Sequence, residues 1–251
     1  MIRAIGLTKL YGQLTAVDEL NLEVPAGELF GFLGPNGAGK TTTIKMFTGL
    51  LRPTRGEAYI GEYNIGTHPV EAKRICGYVP DNPFLYERLT GREFLSFMSD
   101  LYGVNSHRKE QRIDSLIRLF ELEEKAEELI QGYSRGMRQK VALAGVLIHE
   151  PKALFLDEPT VGLDPKSARR MKDILRELCN RGTAVFVSTH ILEIAERMCD
   201  RVGIIDKGRL IAVGTMEDLR ASAASEAKSL EDIFLELTGG AEYEDLIQYL
   251  G

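Results

Sequence analysis

Gly34-Pro35-Asn36-Gly37-Ala38-Gly39-Lys40-Thr41 decides the reading of this chain. The eight residues match G-x4-G-K-[ST], a pattern that chance places in about one chain of this length in a hundred. Its surroundings supply the context the pattern needs. The apolar segment ELFGFL at 28–33 reads as a strand, and residues 40–51 read as a helix with Ile44, Phe47 and Leu51 on one face. A strand that runs through glycines into a helix points successive backbone N–H groups at phosphate oxygens, and the helix N-terminus adds partial positive charge. In that loop Gly34, Asn36, Gly37, Ala38 and Gly39 cradle the phosphates. Lys40 neutralises the β- and γ-phosphates, and the Thr41 hydroxyl ligates Mg²⁺.

Two later segments supply the rest of a hydrolytic site. Leu154-Phe155-Leu156-Asp157-Glu158 is an apolar strand ending in two carboxylates. Buried side by side they would carry a large desolvation cost, so they belong at the strand end, beside the phosphate loop. There Asp157 reaches Mg²⁺ through water and Glu158 polarises the attacking water. Val187-Ser188-Thr189-His190 ends another strand, where the His190 imidazole donates to the γ-phosphate and holds Glu158 and the water in line. His68, His107 and His149 read as structural.

Outward from the loop, 20–24 and 28–33 are short strands separated by Pro25 and Gly27, and 57–60 and 75–79 are further strands before Pro80 and Pro83. The stretch 85–150 looks all-helical. Thr90-Gly91-Arg92-Glu93 has capping-box spacing ahead of an apolar stripe of Phe94, Phe97, Met98 and Leu101, and Ile113, Leu116, Ile117 and Phe120 repeat that period. The acidic run ELEEKAEEL reads as a solvated face. Strand and helix alternate again from 153: ALFLD, a helix capped by Asp164-Pro165 and running to about 180, TAVFV, ILEIAERM, and a hairpin turning at Lys207-Gly208. Two short amphipathic helices, opened by Thr215 and Ser229, close the chain. The pattern is an α/β core in two sequence segments, interrupted by helices.

Composition removes several function classes. Of 251 residues, 44% are hydrophobic and 27% charged, values of a globular chain rather than a disordered one. With 31 Lys and Arg against 37 Asp and Glu, the formal charge of −6 argues against nucleic-acid binding through bulk charge. The longest apolar run, Val141 to Ile148, falls far short of the ~20 residues a bilayer requires, so no direct membrane insertion is expected. The N-terminus carries Arg3 and Lys9 and does not read as a signal peptide. Cys76, Cys179 and Cys199 are scattered and read as ordinary buried thiols of a reducing compartment.

Taken in order, these segments resemble the ATP-binding subunit of an ABC transporter over nearly the whole chain. Gly34 to Thr42 is similar to the Walker A loop, which adds Thr42 to the nucleotide contacts. Leu154 to Glu158 is similar to Walker B, Gly162-Leu163-Asp164 to the D-loop, and His190 to the switch histidine. Tyr11 in KLYGQLTAV resembles the loop aromatic that stacks on adenine. Tyr133-Ser134-Arg135-Gly136-Met137 stands where the family carries its LSGGQ signature, with Ser134 and Gly136 retained ahead of Gln139. Arg135 and Met137 depart from that pattern. So does Asp81 in GYVPDNPFLY, where the family has the Q-loop glutamine; a carboxylate there still reaches Mg²⁺ or its water.

The resemblance implies a P-loop NTPase with a RecA-like α/β core, an N-terminal antiparallel β region and an inserted α-helical signature subdomain. Residues 1–84 would be the first core segment, 85–150 the signature subdomain, 151–214 the second core segment and 215–251 a helical tail. It implies ATP and Mg²⁺ as cofactors and a homodimer, or a heterodimer with another ATPase subunit, closing head to tail so that each signature peptide caps the other subunit's ATP. Separate transmembrane permease subunits would dock a short helix in a cleft between Asp81 and about Leu101, with Phe84, Leu85 and Tyr86 as apolar contacts. Such a subunit is cytoplasmic and peripheral on the inner face of the cell membrane. YSRGMRQK and SLEDIFLELTG resemble ATPases of bacterial ABC-2-type exporters. The alternative is a soluble ABC-type ATPase acting on nucleic acid or ribosomes, against which stand the single P-loop, the short interval from Lys40 to Ser134 and the acidic balance. A nucleotide-gated module without hydrolysis is disfavoured by Glu158 together with His190.

Overall fold

The computed structural model describes residues 1–222 and 229–238. Its centre is a six-stranded sheet in the order β10-β9-β3-β8-β7-β6. These strands are β3 Leu29–Leu33, β6 Cys76–Val79, β7 Ala153–Asp157, β8 Ala184–Thr189, β9 Arg201–Asp206 and β10 Arg209–Gly214. All pairings are parallel except β9 with β10, which the Lys207-Gly208 turn joins as an antiparallel hairpin. Strands β3, β7 and β8 are buried along their full length, which is why each reads as a continuous apolar run rather than an alternation.

A second, four-stranded antiparallel sheet has the order β2-β1-β4-β5, from β1 Ile2–Tyr11, β2 Leu14–Val24, β4 Arg55–Ile60 and β5 Tyr63–Asn64. Sequence reading finds only 20–24 of β2 and none of β1. Charged and apolar residues mix along β1, its pairing with β2 shifts register three times, and Gly6 adopts a positive φ. Bulges of this kind blur a period-two signal.

Phosphate loop and sheet are locked together by aromatic packing. Phe47, on helix α1 (Lys40–Phe47), lies 5.6 Å from Phe155 and 5.8 Å from Phe186, and Phe186 in turn meets Phe30 and Phe32. Helix α1 therefore sits rigidly over β3, β7 and β8. It ends at Phe47 rather than at 51, because Gly49 takes a positive φ and the Leu50 and Leu51 amides bond back to the Lys45 carbonyl.

Between β6 and β7 the chain inserts α3 Gly91–Leu101, α4 Ser106–Leu119 and α5 Arg135–Leu147; a one-turn helix α2, Pro69–Arg74, precedes β6. The Thr90 hydroxyl accepts from the Glu93 amide at 3.1 Å and the Glu93 carboxylate accepts from the Thr90 amide at 2.8 Å, the expected box. Two expectations here are corrected. Phe97 and Leu101 are exposed, the former edge-on to Tyr86 at 5.2 Å. The glutamates of the acidic run are exposed as expected and also meet surface cations: Glu121 meets Lys140, Lys166 and Arg170, Glu127 pairs with Arg92, and Glu128 with Lys125. The run lies in turns that lead into a 3-10 turn at Ile130–Gly132, so 85–150 is not helical throughout.

The Asp164 carboxylate caps α6, Pro165–Asn180, accepting from the Ser167 amide at 3.0 Å and hydroxyl at 2.6 Å. Helices α7 Leu192–Met198, α8 Met216–Ser222 and α9 Leu230–Thr238 follow, the last two opening at Thr215 and Ser229 as expected. The remainder of the tail assigned to 215–251 lies outside the described residues. No helix among those described is long and apolar enough to cross a membrane.

Candidate nucleotide site

At the carboxyl end of the parallel sheet a cavity of about 410 Å³ is lined by Tyr11, Leu14, Ala16, Asn36, Gly37, Gly39, Lys40, Thr41, Thr42, Asp81, Asp157 and Glu158. Open α/β sheets place their ligands at this end. Gly39 shows why the loop needs glycine. Its φ is 110°, and a Cβ there would collide with the Ala16 carbonyl. The turn lets α1 begin with its amides directed at the cavity.

Lys40 is buried, and its ammonium donates to the Gly34 carbonyl at 2.6 Å and the Pro35 carbonyl at 3.1 Å. Burial pushes its pKa down from the ordinary value, while the charges of Glu158 and Asp157 push it back up. A cation so poorly hydrated attracts an arriving phosphate more strongly than one in bulk water. Asp157 is held from helix α1 and strand β8. Its Oδ2 accepts from the Thr41 hydroxyl at 2.7 Å, and its Oδ1 accepts from the Ser188 hydroxyl.

The next residue, Glu158, sits at φ 51°, a left-handed conformation that a side-chain-bearing residue adopts at a cost. The kink turns its carboxylate away from Asp157 and toward β8. There Oε2 accepts from the Thr189 hydroxyl at 3.1 Å, and Oε1 lies 2.8 Å from His190 Nδ1. The acid pair therefore divides into two environments, one facing the phosphate loop and one facing the histidine. Sequence reading names His190 but gives no part to Ser188 and Thr189, although all three stand in the quoted segment VSTH. Alternation along a fully buried strand gives no sign of which hydroxyls turn toward a neighbouring carboxylate.

The other sequence-named residues divide by location. Tyr11 is half exposed at the cavity mouth, with Lys9 Nζ 5.2 Å from its ring centroid. Asp81 lines the cavity, and its Oδ1 accepts from Arg135 Nη2 at 2.8 Å. Ser134 and Gly136 stand outside the lining residues. Ser134 is the N-cap of α5, accepting from the Met137 amide at 3.3 Å, and the preceding Tyr133 is buried and donates to the Lys125 carbonyl at 2.6 Å. Within the subunit a Cβ at Gly136 would make only ordinary contacts, 3.5 Å from Leu163 Cδ2. His149 lies elsewhere, stacked on Tyr102 at 3.7 Å, with burial pushing its pKa down to about 4. Cys76 and Cys179 are buried free thiols and Cys199 is partly exposed.

The donors around Thr41 are all oxygens, the chemistry that suits Mg²⁺. Among the described residues no group of three or more His, Cys, Asp or Glu forms a metal cluster of its own.

A family model described as "ABC transporter" matches residues 17–161, more than half of the chain and the part that carries the phosphate loop, Arg135 and the acid pair. The chain belongs to the ABC transporter family. It is an ATP-binding, ATP-hydrolysing subunit of that family. One relative, the linearmycin resistance ATP-binding protein LnrL of Bacillus subtilis (strain 168), is 39% identical over 219 residues, 87% of this chain and 70% of its own length. A solved ATP-binding subunit of an ABC transporter superposes with a TM-score of 0.90 at 34% identity, covering 94% of this chain and 99% of that one. The ATP-binding cassette MJ0796, solved as a dimer in a post-hydrolysis state with ADP and Pi, gives 0.79 at 26% identity, covering 86% and 99%. ABC cassettes thus dimerise, and the mixed α/β architecture of this subunit is theirs.

Proposed function

We propose that this subunit energises export of a drug-like or antibiotic cargo through separate permease subunits, using the residues gathered at the strand ends. The carrying observation is the split acid pair: Asp157 bonded to Thr41 of the phosphate loop, and Glu158 bonded to His190. Lys40 exchanges its loop carbonyls for the β- and γ-phosphates, and the amides from Asn36 to Thr42 take the remaining oxygens. Thr41 and Asp157, with Asp81 at the rim, would hold Mg²⁺, which when bound neutralises charge on the terminal phosphates. Glu158 accepts the proton of the attacking water, and His190 keeps that carboxylate aimed. Tyr11 offers a ring to the base.

The signature subdomain, 85–150, presents Ser134 and Gly136 at the α5 N-terminus, outside the lining of its own cavity. That arrangement supports closure of two subunits with each α5 facing the other's nucleotide, since none of the described residues of one subunit requires glycine at 136. A groove lined by Leu85, Tyr86, Leu89 and Phe97, beside a 96% exposed Phe84, fits a short apolar helix from a permease at the cytoplasmic face of the membrane. Export of an antibiotic is supported by the likeness to LnrL, which is named for linearmycin resistance.

Calorimetric titration of ATP tests the site: heat that requires Mg²⁺ is expected in the wild type. Lys40→Ala should weaken the affinity at least tenfold through loss of a charge-assisted contact. Equal affinity in the variant would remove Lys40 from the phosphate site. Purification from native membranes tests the assembly, and recovery without any multispanning protein would count against the permease partner.

A further inference from the structure

Two of the positions that depart from the family pattern touch each other. Asp81 follows β6 and Arg135 opens α5, 54 residues later, yet their side chains form an ion pair at 2.8 Å. Local structure gives no reason for the arginine. The first turn of a helix disfavours a cation, and Ser134 already caps it. Its stem also lies against Gly162, where a Cβ would come within 2.9 Å of Arg135 Cδ. At the signature end of α5, Arg135 therefore pairs with the loop after β6 and lays its stem beside the loop after β7.

Asp81 needs such a partner. It is the third carboxylate on a cavity already lined by Asp157 and Glu158, with Lys40 as the one cationic side chain among the described residues that line it. An uncompensated charge there repels a triphosphate, and a half-exposed aspartate is free to change rotamer. Arg135 engages Oδ1, and among the described residues Oδ2 takes no hydrogen bond from the protein.

We propose that Arg135 is a positioning residue for Asp81: it fixes one carboxylate oxygen, offsets the charge that aspartate adds to the phosphate cavity, and leaves the other oxygen for the nucleotide's cation or its water. The signature end of α5 is then tied to the phosphate cavity of its own subunit. This rests on the nucleotide-site reading given above.

The test is a double-mutant cycle on the full chain, with Arg135→Ala, Asp81→Asn, the double variant and Arg135→Lys. Affinity for AMP-PNP with Mg²⁺ is measured by calorimetry, alongside KM, kcat and thermal midpoint. Arg135→Ala should weaken binding about three- to fivefold, the scale of a half-exposed ion pair. It should raise KM by the same factor, with kcat held within about twofold. Arg135→Lys should recover most of the loss, and in the Asp81→Asn background the loss should shrink to under about 1.5-fold. A merely structural arginine would lower the thermal midpoint and leave affinity unchanged, which overturns the proposal. An equal loss in both backgrounds, or a fall in kcat at constant KM, overturns it too. Wild type that binds no AMP-PNP would sink the underlying site reading, whereas wild type that binds, with uncoupled variants, sinks only this inference.

Discussion

Glu158→Gln isolates the chemical step from everything else the acid does. Glutamine keeps the side-chain length, so it still accepts from the Thr189 hydroxyl and still reaches His190, the contacts now made at 3.1 and 2.8 Å. It inherits the same φ of 51°, so the backbone strain of about 1–3 kcal/mol is common to both proteins and cancels. The thermal midpoint should therefore move by no more than about 2 °C. Removing one negative charge from a cavity that receives a triphosphate leaves ATP affinity equal or higher. What is lost is the proton acceptor, worth about 10²- to 10⁴-fold in rate, or about 3–5.5 kcal/mol of barrier at ~1.4 kcal/mol per tenfold. Steady-state phosphate release should fall by that factor, while size-exclusion chromatography with ATP shows an accumulating dimer. Turnover within tenfold of wild type, in a variant that binds ATP normally, would refute Glu158 as the base.

Three further outcomes follow from particular contacts. Ser188→Ala withdraws a donor from the buried Asp157 and should cost about 1–3 kcal/mol in urea unfolding; a change below about 0.5 kcal/mol would show that Thr41 suffices. Gly145→Ala puts a Cβ 2.6 Å from Phe94 Cε1 between α5 and α3, an overpacking of about 1–3 kcal/mol against a helix-propensity gain of about 1. A net loss in thermal midpoint is expected, and a gain would mean the helices separate freely. His149 binds its proton at about pH 4 in the fold against about 6.5 when unfolded. The unfolded chain takes up the proton first as pH falls, so stability declines from about pH 6.5 and levels off below about 4. His149→Phe, which can keep the stack on Tyr102, should flatten that part of the pH profile of the urea midpoint, and an unchanged slope would remove His149 as its source.

The nucleotide loop and the acid pair were readable because their constraints are local. A backbone that must turn at Gly39 admits few residues, and a buried strand that ends in two acids stands out from any solvent loop. The caps at Thr90, Asp164, Thr215 and Ser229 were readable for the same reason, since each is a contact across three residues. Strand β1 and helix α2 were not: β1 is bulged, and α2 has a single turn with one buried residue, Ala72. The exposure of Phe97 and Leu101 was also beyond sequence, because a helical stripe shows where apolar residues align but not how far the neighbouring helix extends along them.

The order of motifs along the chain was thus sufficient by itself for the α/β core and the helical insertion, and it named Lys40, Thr41, Asp157, Glu158 and His190 as candidates. Tertiary structure alone decided how those side chains are paired. It joined Asp157 to Thr41 and Ser188, turned Glu158 toward Thr189 and His190, and brought Asp81 against Arg135. The physical reason is range. Backbone conformation and burial period are set by neighbours a few residues apart, whereas these hydrogen bonds and ion pairs join residues 31 to 116 positions apart. Their partners meet only once α1, the parallel strands from β3 to β6 and α5 are packed together.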